Sequence, residues 1–145
     1  MKSIIFICLG NICRSSLAEG IAKYQAKKLG VDIKIDSAGT STFHNGEAPC
    51  SISQNLAKQN GIDISSQVSQ HTSEFDLKSY DLIIAMDERN RQDLLFLGLK
   101  NVVKLGFYGF GSADVSDLYY HPNDAKIVYG MVEKAVSLIL EEMYV

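Results

Sequence analysis

Short apolar runs and helically spaced apolar stripes alternate along this chain from end to end. Ser3 to Leu9 is continuous and rich in isoleucine, as expected of a strand covered on both faces. Arg14 to Leu29 carries a helical stripe at Leu17, Ile21, Ala22 and Leu29, with Gly30 in the stop position. Val31 to Ser37 alternates Val31, Ile33 and Ile35 with Asp32, Lys34 and Asp36, the period of a strand. Pro49 to Asn60 reads as a helix stopped at Gly61, and a short helix follows over Ser73 to Ser79. Asp81 to Met86 is a second buried strand, Glu88 to Leu97 a helix and Asn101 to Leu105 a fourth strand. Gly106 to Tyr120 is a long loop with three glycines. Asn123 to Met143 closes the chain with a stripe of Val128, Val132, Val136, Ile139, Leu140 and Met143.

Strands alternating with helices predict an α/β fold, a parallel sheet with helices on both faces joined by right-handed crossovers. No repeat, linker or low-complexity tract interrupts the pattern, so residues 1–145 are expected to form one domain. Ligands of such sheets bind beyond the carboxyl ends of the strands. The turn after the first strand is therefore the first place to look for chemistry.

Composition narrows the function. A chain of 145 residues buries roughly two thirds of its unfolded surface and needs neither disulfide nor metal to stay folded. With 46% hydrophobic and 21% charged residues, 2 prolines and 11 glycines, it is not disordered, collagen-like or a disulfide scaffold. The net charge is −3 and no basic stripe is visible, which argues against nucleic-acid binding. The apolar run after Met1-Lys2-Ser3 is too short for a signal segment. No stretch approaches the roughly 18 apolar residues of a membrane span. Cys8, Cys13 and Cys50 cannot all pair and lack the density of a secreted framework, so a cytoplasmic protein with reduced thiols is expected.

The turn reads Cys8-Leu9-Gly10-Asn11-Ile12-Cys13-Arg14-Ser15 and leads straight into a helix. A loop opening a helix aims several backbone N–H groups inward, and the helix dipole adds positive potential. Gly10 permits close approach of the backbone, and Asn11 tolerates positive φ, so the loop can form a nest for a tetrahedral oxyanion. Arg14 adds a planar fork matching two phosphate oxygens. Cys8 lies at the floor of this cradle, where positive potential favours a thiolate, and the Ser15 hydroxyl can bond the same sulfur. A thiolate beneath a bound phosphate is poised for in-line attack on phosphorus. The loop lacks the Gly-Lys-Ser/Thr of an ATP site. It is not a metal site either, since His44, His71 and His121 are scattered and no second Cys or His pair supports Cys8 and Cys13.

This loop, together with V-D-I-K-I-D-S-A-G-T-S at 31–41, A-M-D-E-R-N at 85–90 and D-L-Y-Y at 117–120, resembles the low-molecular-weight protein tyrosine phosphatases over nearly the whole chain. The resemblance implies a three-layer fold around a four-stranded parallel sheet, a phosphocysteine intermediate and no metal or organic cofactor. It implies Cys8 as nucleophile, Arg14 as phosphate clamp and Asp117 as general acid and base. Leu9, Gly10, Asn11, Ile12, Cys13 and Ser15 would bind phosphate. Asn11, Ser15 and Ser37 would support the loop, and Leu9, Phe43, Tyr119 and Tyr120 would line a slot for the substrate ring. The implied partner is a phosphotyrosine protein or a small aryl phosphate, not nucleic acid or a membrane.

Four features depart from the family pattern: Leu118 and Ser16 replace prolines, Cys50 stands where aspartate is common, and Val68-Ser69 replaces an Ala-Arg pair. Proline after Asp117 would hold the acid loop in few states; leucine either removes that restraint or packs into the aromatic slot and preorders the loop in another way. Cys13, in the same loop as Cys8, is a candidate resolving thiol for an oxidised Cys8. Two rival functions fit the residues less well. An arsenate reductase needs two further cysteines in the second half, and residues 51–145 contain none. A non-catalytic phospho-binding module could dispense with the nucleophile or the acid, and both are present.

Overall fold

A computed structural model describes residues 1–144. Its strands are β1 (Lys2–Cys8), β2 (Ile33–Gly39), β3 (Leu82–Ala85) and β4 (Val102–Lys104), and its helices are α1 (Arg14–Leu29), α2 (Ser51–Gln59), α3 (Glu88–Phe96) and α4 (Ala125–Tyr144). The strands form one parallel sheet in the order β2-β1-β3-β4. β1 lies between two neighbours, which is why Ile4, Ile5, Phe6 and Ile7 are all fully buried. Because side chains alternate across a strand, this one run feeds two cores. Ile4 and Phe6 join Leu17, Ile21, Leu56, Val132 and Val136 in the larger core with α1, α2 and α4. Ile5 and Ile7 join Ile83, Leu94 and Leu99 in the smaller core with α3.

Helix α1 has the predicted bounds, and its end explains where β2 starts. Gly30 adopts φ 70°, its N–H donates to the Lys27 carbonyl, and the Val31 N–H donates to the Ala26 carbonyl. Val31 thus belongs to the helix-terminating motif, and β2 begins only at Ile33. The expected stripe position Leu29 is exposed, and Ala26 faces the core instead. Strand β2 continues past Ser37 to Gly39, since Ala38 and Gly39 remain paired with Ile7 and Cys8. The expected short helix over 73–79 is two separate 3-10 turns, Thr72–Glu74 and Leu77–Ser79. Among the described residues, no helix is long and apolar enough to cross a membrane.

The loop from β4 to α4 is more constrained than its glycines suggested. The Gly106 carbonyl accepts from the N–H groups of Phe110 and Ser112, and the Val115 N–H donates to the Met86 carbonyl at 2.9 Å. Leu118 is fully buried in the larger core. A packed side chain therefore fixes this segment where a proline ring would do so by its own geometry. Leu118→Ala should cost about 2–5 kcal/mol of folding stability, by lost burial and the cavity left behind, as measured by urea unfolding.

Candidate active site

The carboxyl ends of β1, β2 and β3 open on the same edge of the sheet. From β1 come Cys8 and the turn over residues 9–13, from β2 the segment 40–44, and from β3 Asp87, which caps α3. In the turn, Asn11 adopts φ 57°, and its backbone N–H points inward to donate to Cys8 Sγ at 3.2 Å. Gly39 must be glycine at the strand end below, because a Cβ there would lie 2.8 Å from the Leu9 carbonyl oxygen.

Hydrogen bonds beneath the turn fix the direction of each proton. Asn11 Oδ1 accepts from the Gln70 N–H at 3.0 Å, which orients its amide. Asn11 Nδ2 then donates to Ser15 Oγ at 2.7 Å and to Ser37 Oγ at 2.9 Å, using both hydrogens. The Ser37 hydroxyl donates to Glu19 Oε1. Ser15, already accepting from Asn11, turns its proton toward Cys8 Sγ, 2.9 Å away. The sulfur thus receives two hydrogen bonds, an arrangement suited to an electron-rich acceptor. Asn11, Ser15, Ser37 and Glu19 are all buried.

Arg14 is 3% exposed and is held from two later parts of the chain. Its Nη1 donates to Asp87 Oδ2 at 2.7 Å and to the Val115 carbonyl at 3.1 Å, and its Nη2 lies 3.5 Å from Asp117 Oδ2. Burial pulls the guanidinium pKa down, but the charge of Cys8 and the carboxylates of Asp87 and Asp117 outweigh it and hold the value above the usual one. Asp87 serves two elements, since its other oxygen accepts from the Asn90 N–H at the start of α3. Asp117 Oδ1 accepts from the Tyr119 N–H at 3.0 Å, which leaves Oδ2 facing Arg14.

These groups surround a cleft of about 420 Å³. Cys8, Ile12, Cys13, Arg14 and Asp117 line it, and Leu9, Gly10, Phe43, Tyr119 and Tyr120 complete it. Phe43, Tyr119 and Tyr120 are 80%, 55% and 68% exposed, so their rings are open to an incoming aromatic group. Asn11, Ser15 and Ser37 lie beneath the turn rather than in the cleft.

The structure also brings in residues to which the sequence reading gave no role. Ser41 and His44 line the cleft, with His44 packed edge-on to Phe43 and tilted against Tyr119 at a ring separation of 5.7 Å. His44 Nδ1 is 2.8 Å from Glu47 Oε2. Their position directly after β2, at the same sheet edge as Cys8, was the available signal. Asp87 lies in the A-M-D-E-R-N segment at 85–90, and its place just after β3 points to the same edge. Among the described residues, no group of three His, Cys, Asp or Glu side chains is arranged to hold a metal ion.

One sulfur expectation is corrected. Cys13 is bonded to Cys50, not free to resolve Cys8, and Cys8 is the free cysteine of the three. The reduced-thiol reading of these two cysteines falls with it. The pairing follows from the backbone. The Cys50 N–H donates to the Ile12 carbonyl at 2.7 Å, and Ser53 Oγ donates to the Cys13 carbonyl at 2.7 Å. These bonds bring the two Cα atoms to 5.3 Å although the residues are 37 apart in sequence.

Comparison with known proteins adds an independent finding. The family model described as low molecular weight phosphotyrosine protein phosphatase matches residues 3–144. The chain is 41% identical over 131 residues to the low molecular weight protein-tyrosine-phosphatase YfkJ of Bacillus subtilis, covering 85% of this chain and 84% of that one. It is 35% identical over 154 residues to the mouse low molecular weight phosphotyrosine protein phosphatase, covering 99% and 96% of the two chains. The crystal structure of YfkJ from Bacillus subtilis matches with a TM-score of 0.91 and 36% identity, over 99% of this chain and 94% of that one.

Proposed function

The chain belongs to the low molecular weight phosphotyrosine protein phosphatases, a family of hydrolases, and on that premise we propose that it cleaves aryl phosphomonoesters, phosphotyrosine among them, through a phosphocysteine intermediate. The observation that carries this reading is Cys8 Sγ at the cleft floor, with two hydrogen-bond donors on it and Arg14 and Asp117 above. Phosphate sits in the nest of turn N–H groups, with the Arg14 fork on two of its oxygens. The Cys8 thiolate attacks phosphorus in line, and Asp117 protonates the departing phenolate oxygen. The same carboxylate then takes a proton from the water that attacks the phosphocysteine, and Ser15 stabilises the sulfur as it leaves. Leu9, Phe43, Tyr119 and Tyr120 bracket the substrate ring, with His44 backing Tyr119. The chemistry draws on no metal or cofactor. A phosphotyrosine protein or small aryl phosphate in the cytoplasm is the proposed substrate, and Cys8 is the proposed point of redox sensitivity.

Multiple turnovers of para-nitrophenyl phosphate in the presence of a chelator, with acid-quenched phosphate trapped on Cys8, test the proposal. A phospho-binding module would bind and not turn over. The acid role of Asp117 makes a separate prediction. Asp117→Asn should slow the first chemical step on phosphotyrosine peptides by roughly 10²-fold, since a tyrosyl phenolate with pKa near ~10 needs its proton. The loss on para-nitrophenyl phosphate should be smaller, because that leaving group departs nearly unaided. Equal single-turnover losses on both substrates would remove Asp117 from the proton transfer.

A further inference from the structure

We propose that the groove between α1 and α4 is a second binding site, built for an aromatic monocarboxylate. It shares no lining residue with the catalytic cleft. Arg14 and Tyr24 are separated by roughly 15 Å along the axis of α1 at the rise of a helix, so the two sites are distinct. Ile21, Tyr24, Gln25 and Lys28 recur at the spacing of one face of α1, and Tyr129, Glu133 and Ser137 at that of one face of α4. The Gln25 side chain bridges the helices, donating to the Glu133 carbonyl at 3.0 Å. Ile62, from the segment after α2, and Leu138 complete the walls. The space is about 450 Å³, within the range of small-molecule sites.

The observation that points to a ligand is Tyr129. It is 8% exposed, yet among the described residues its hydroxyl has no hydrogen-bond partner. A buried tyrosine normally finds one for that group. Burial, and after it the proximity of Glu133 and Tyr24, pushes its pKa up to about 12, so the hydroxyl keeps its proton and is a donor. What the site lacks is an acceptor. Lys28 and Lys134 line the same groove, and neither forms an ion pair among the described residues. Their two charges outweigh the one carboxylate of Glu133, which favours an anionic acceptor over a neutral one.

The remaining walls choose the body of the ligand. Lys28 Nζ lies 5.3 Å from the centre of the Tyr24 ring, so positive charge sits beside an aromatic surface. That ring is 40% exposed, and with Ile21, Ile62 and Leu138 it offers the apolar surface that an aryl group buries. The headgroup follows from the backbone. The groove runs alongside two helices whose N–H groups are spent on their own turns, so it has no nest like that of the turn at 9–13. One hydroxyl and two ammonium groups suit a carboxylate better than a phosphate. One oxygen accepts from Tyr129, the other faces the lysines, and the ring lies against Tyr24.

Naphthoate titrated into isotopically labelled protein, followed by amide chemical shifts, tests the assignment. Each residue reports its own curve, so binding of the same anion in the catalytic cleft is read separately at Leu9, Gly10 and Arg14. Residues 21–28 and 129–138 should shift with a Kd of about 1 mM or tighter, as expected for a ligand of this size. Tyr129→Phe removes one oxygen and should weaken the groove by roughly tenfold while leaving the curve at the cleft unchanged. Lys28→Gln and Lys134→Gln are surface changes and should each weaken it roughly two- to fivefold. The site is overturned if the groove residues do not shift, or if Tyr129→Phe binds as tightly as wild type. It is equally overturned if uncharged naphthamide or cationic naphthylmethylammonium binds there as tightly as naphthoate. Should Tyr129→Phe fail to fold, the double variant Lys28→Gln, Lys134→Gln decides, since unchanged affinity in it removes the anion site. These shifts need no catalytic turnover, so failure of the hydrolase reading leaves the test intact.

Discussion

Cys8→Ala should lose turnover of both para-nitrophenyl phosphate and phosphotyrosine peptides by on the order of 10⁵-fold or more, because the covalent step has no substitute nucleophile. Cys13, the other cysteine lining the cleft, is bonded to Cys50, and the Ser15 hydroxyl gives its proton toward Cys8 and accepts from Asn11. Neither is presented as a free nucleophile beneath a bound phosphate. Cys8→Ser is expected to fail as well, since a hydroxyl in that place lacks a base to take its proton. The Arg14 fork and the turn N–H groups remain in both variants, so a phosphotyrosine peptide should still bind. Calorimetric binding with no product release would separate a missing nucleophile from a misfolded loop. A tenth of wild-type activity surviving in Cys8→Ala would sink the phosphocysteine route.

Arg14→Lys should cost roughly 10²–10³-fold in kcat/KM despite keeping a positive charge, as expected for loss of a fixed donor pair facing the transition state. Nη1 of Arg14 is committed to Asp87 and the Val115 carbonyl while Nη2 faces the cleft beside Asp117. One ammonium group cannot hold those anchors and also present a planar pair of donors to phosphate. The two side chains also differ in how they titrate. Burial lowers the arginine pKa, but the surrounding negative charges more than restore it, so Arg14 stays charged through any working pH. Lysine starts from a value near ~10.4, and the same burial favours its neutral form, so the variant should lose further activity on the alkaline side. Near-normal rates for Arg14→Lys, with an unchanged pH profile, would show that the fork is not the phosphate clamp.

Much of the scaffold was legible in the chain because hydrophobic periodicity is written locally. The isoleucine run of β1 and the bounds of α1 needed no information from elsewhere. Misplacements came where one residue served two elements. Val31 alternates like a strand residue, yet its N–H is spent on terminating α1. Leu29 matches the helical stripe, but Gly30 turns the chain before its side chain can reach the core. Within the cleft Cys8, Gly10 and Arg14, and beneath the turn Asn11, were readable because loop chemistry and helix start lie within a few residues. Asp87 and His44 were not, since each acts on a residue tens of positions away that only the sheet order makes adjacent. At Leu118 residue type left two outcomes open, a freer acid loop or one preordered by a packed side chain, and only the fold shows that side chain fully buried in the larger core. The bond between Cys13 and Cys50 was likewise invisible to spacing, because it depends on how α2 enters the domain.

The anchoring of Arg14 also has a consequence in time. Val115 and Asp117, which hold the guanidinium, lie 101 and 103 residues after it. A chain leaving the ribosome from its N-terminus exposes Cys8 and Arg14 first and their partners last. The nascent chain thus carries Cys8, the proposed nucleophile, through most of synthesis without the contacts that orient the arginine. On the proposed mechanism chemistry begins only once the segment before α4 has folded back across the sheet edge, so competence itself would report that synthesis has passed residue 117.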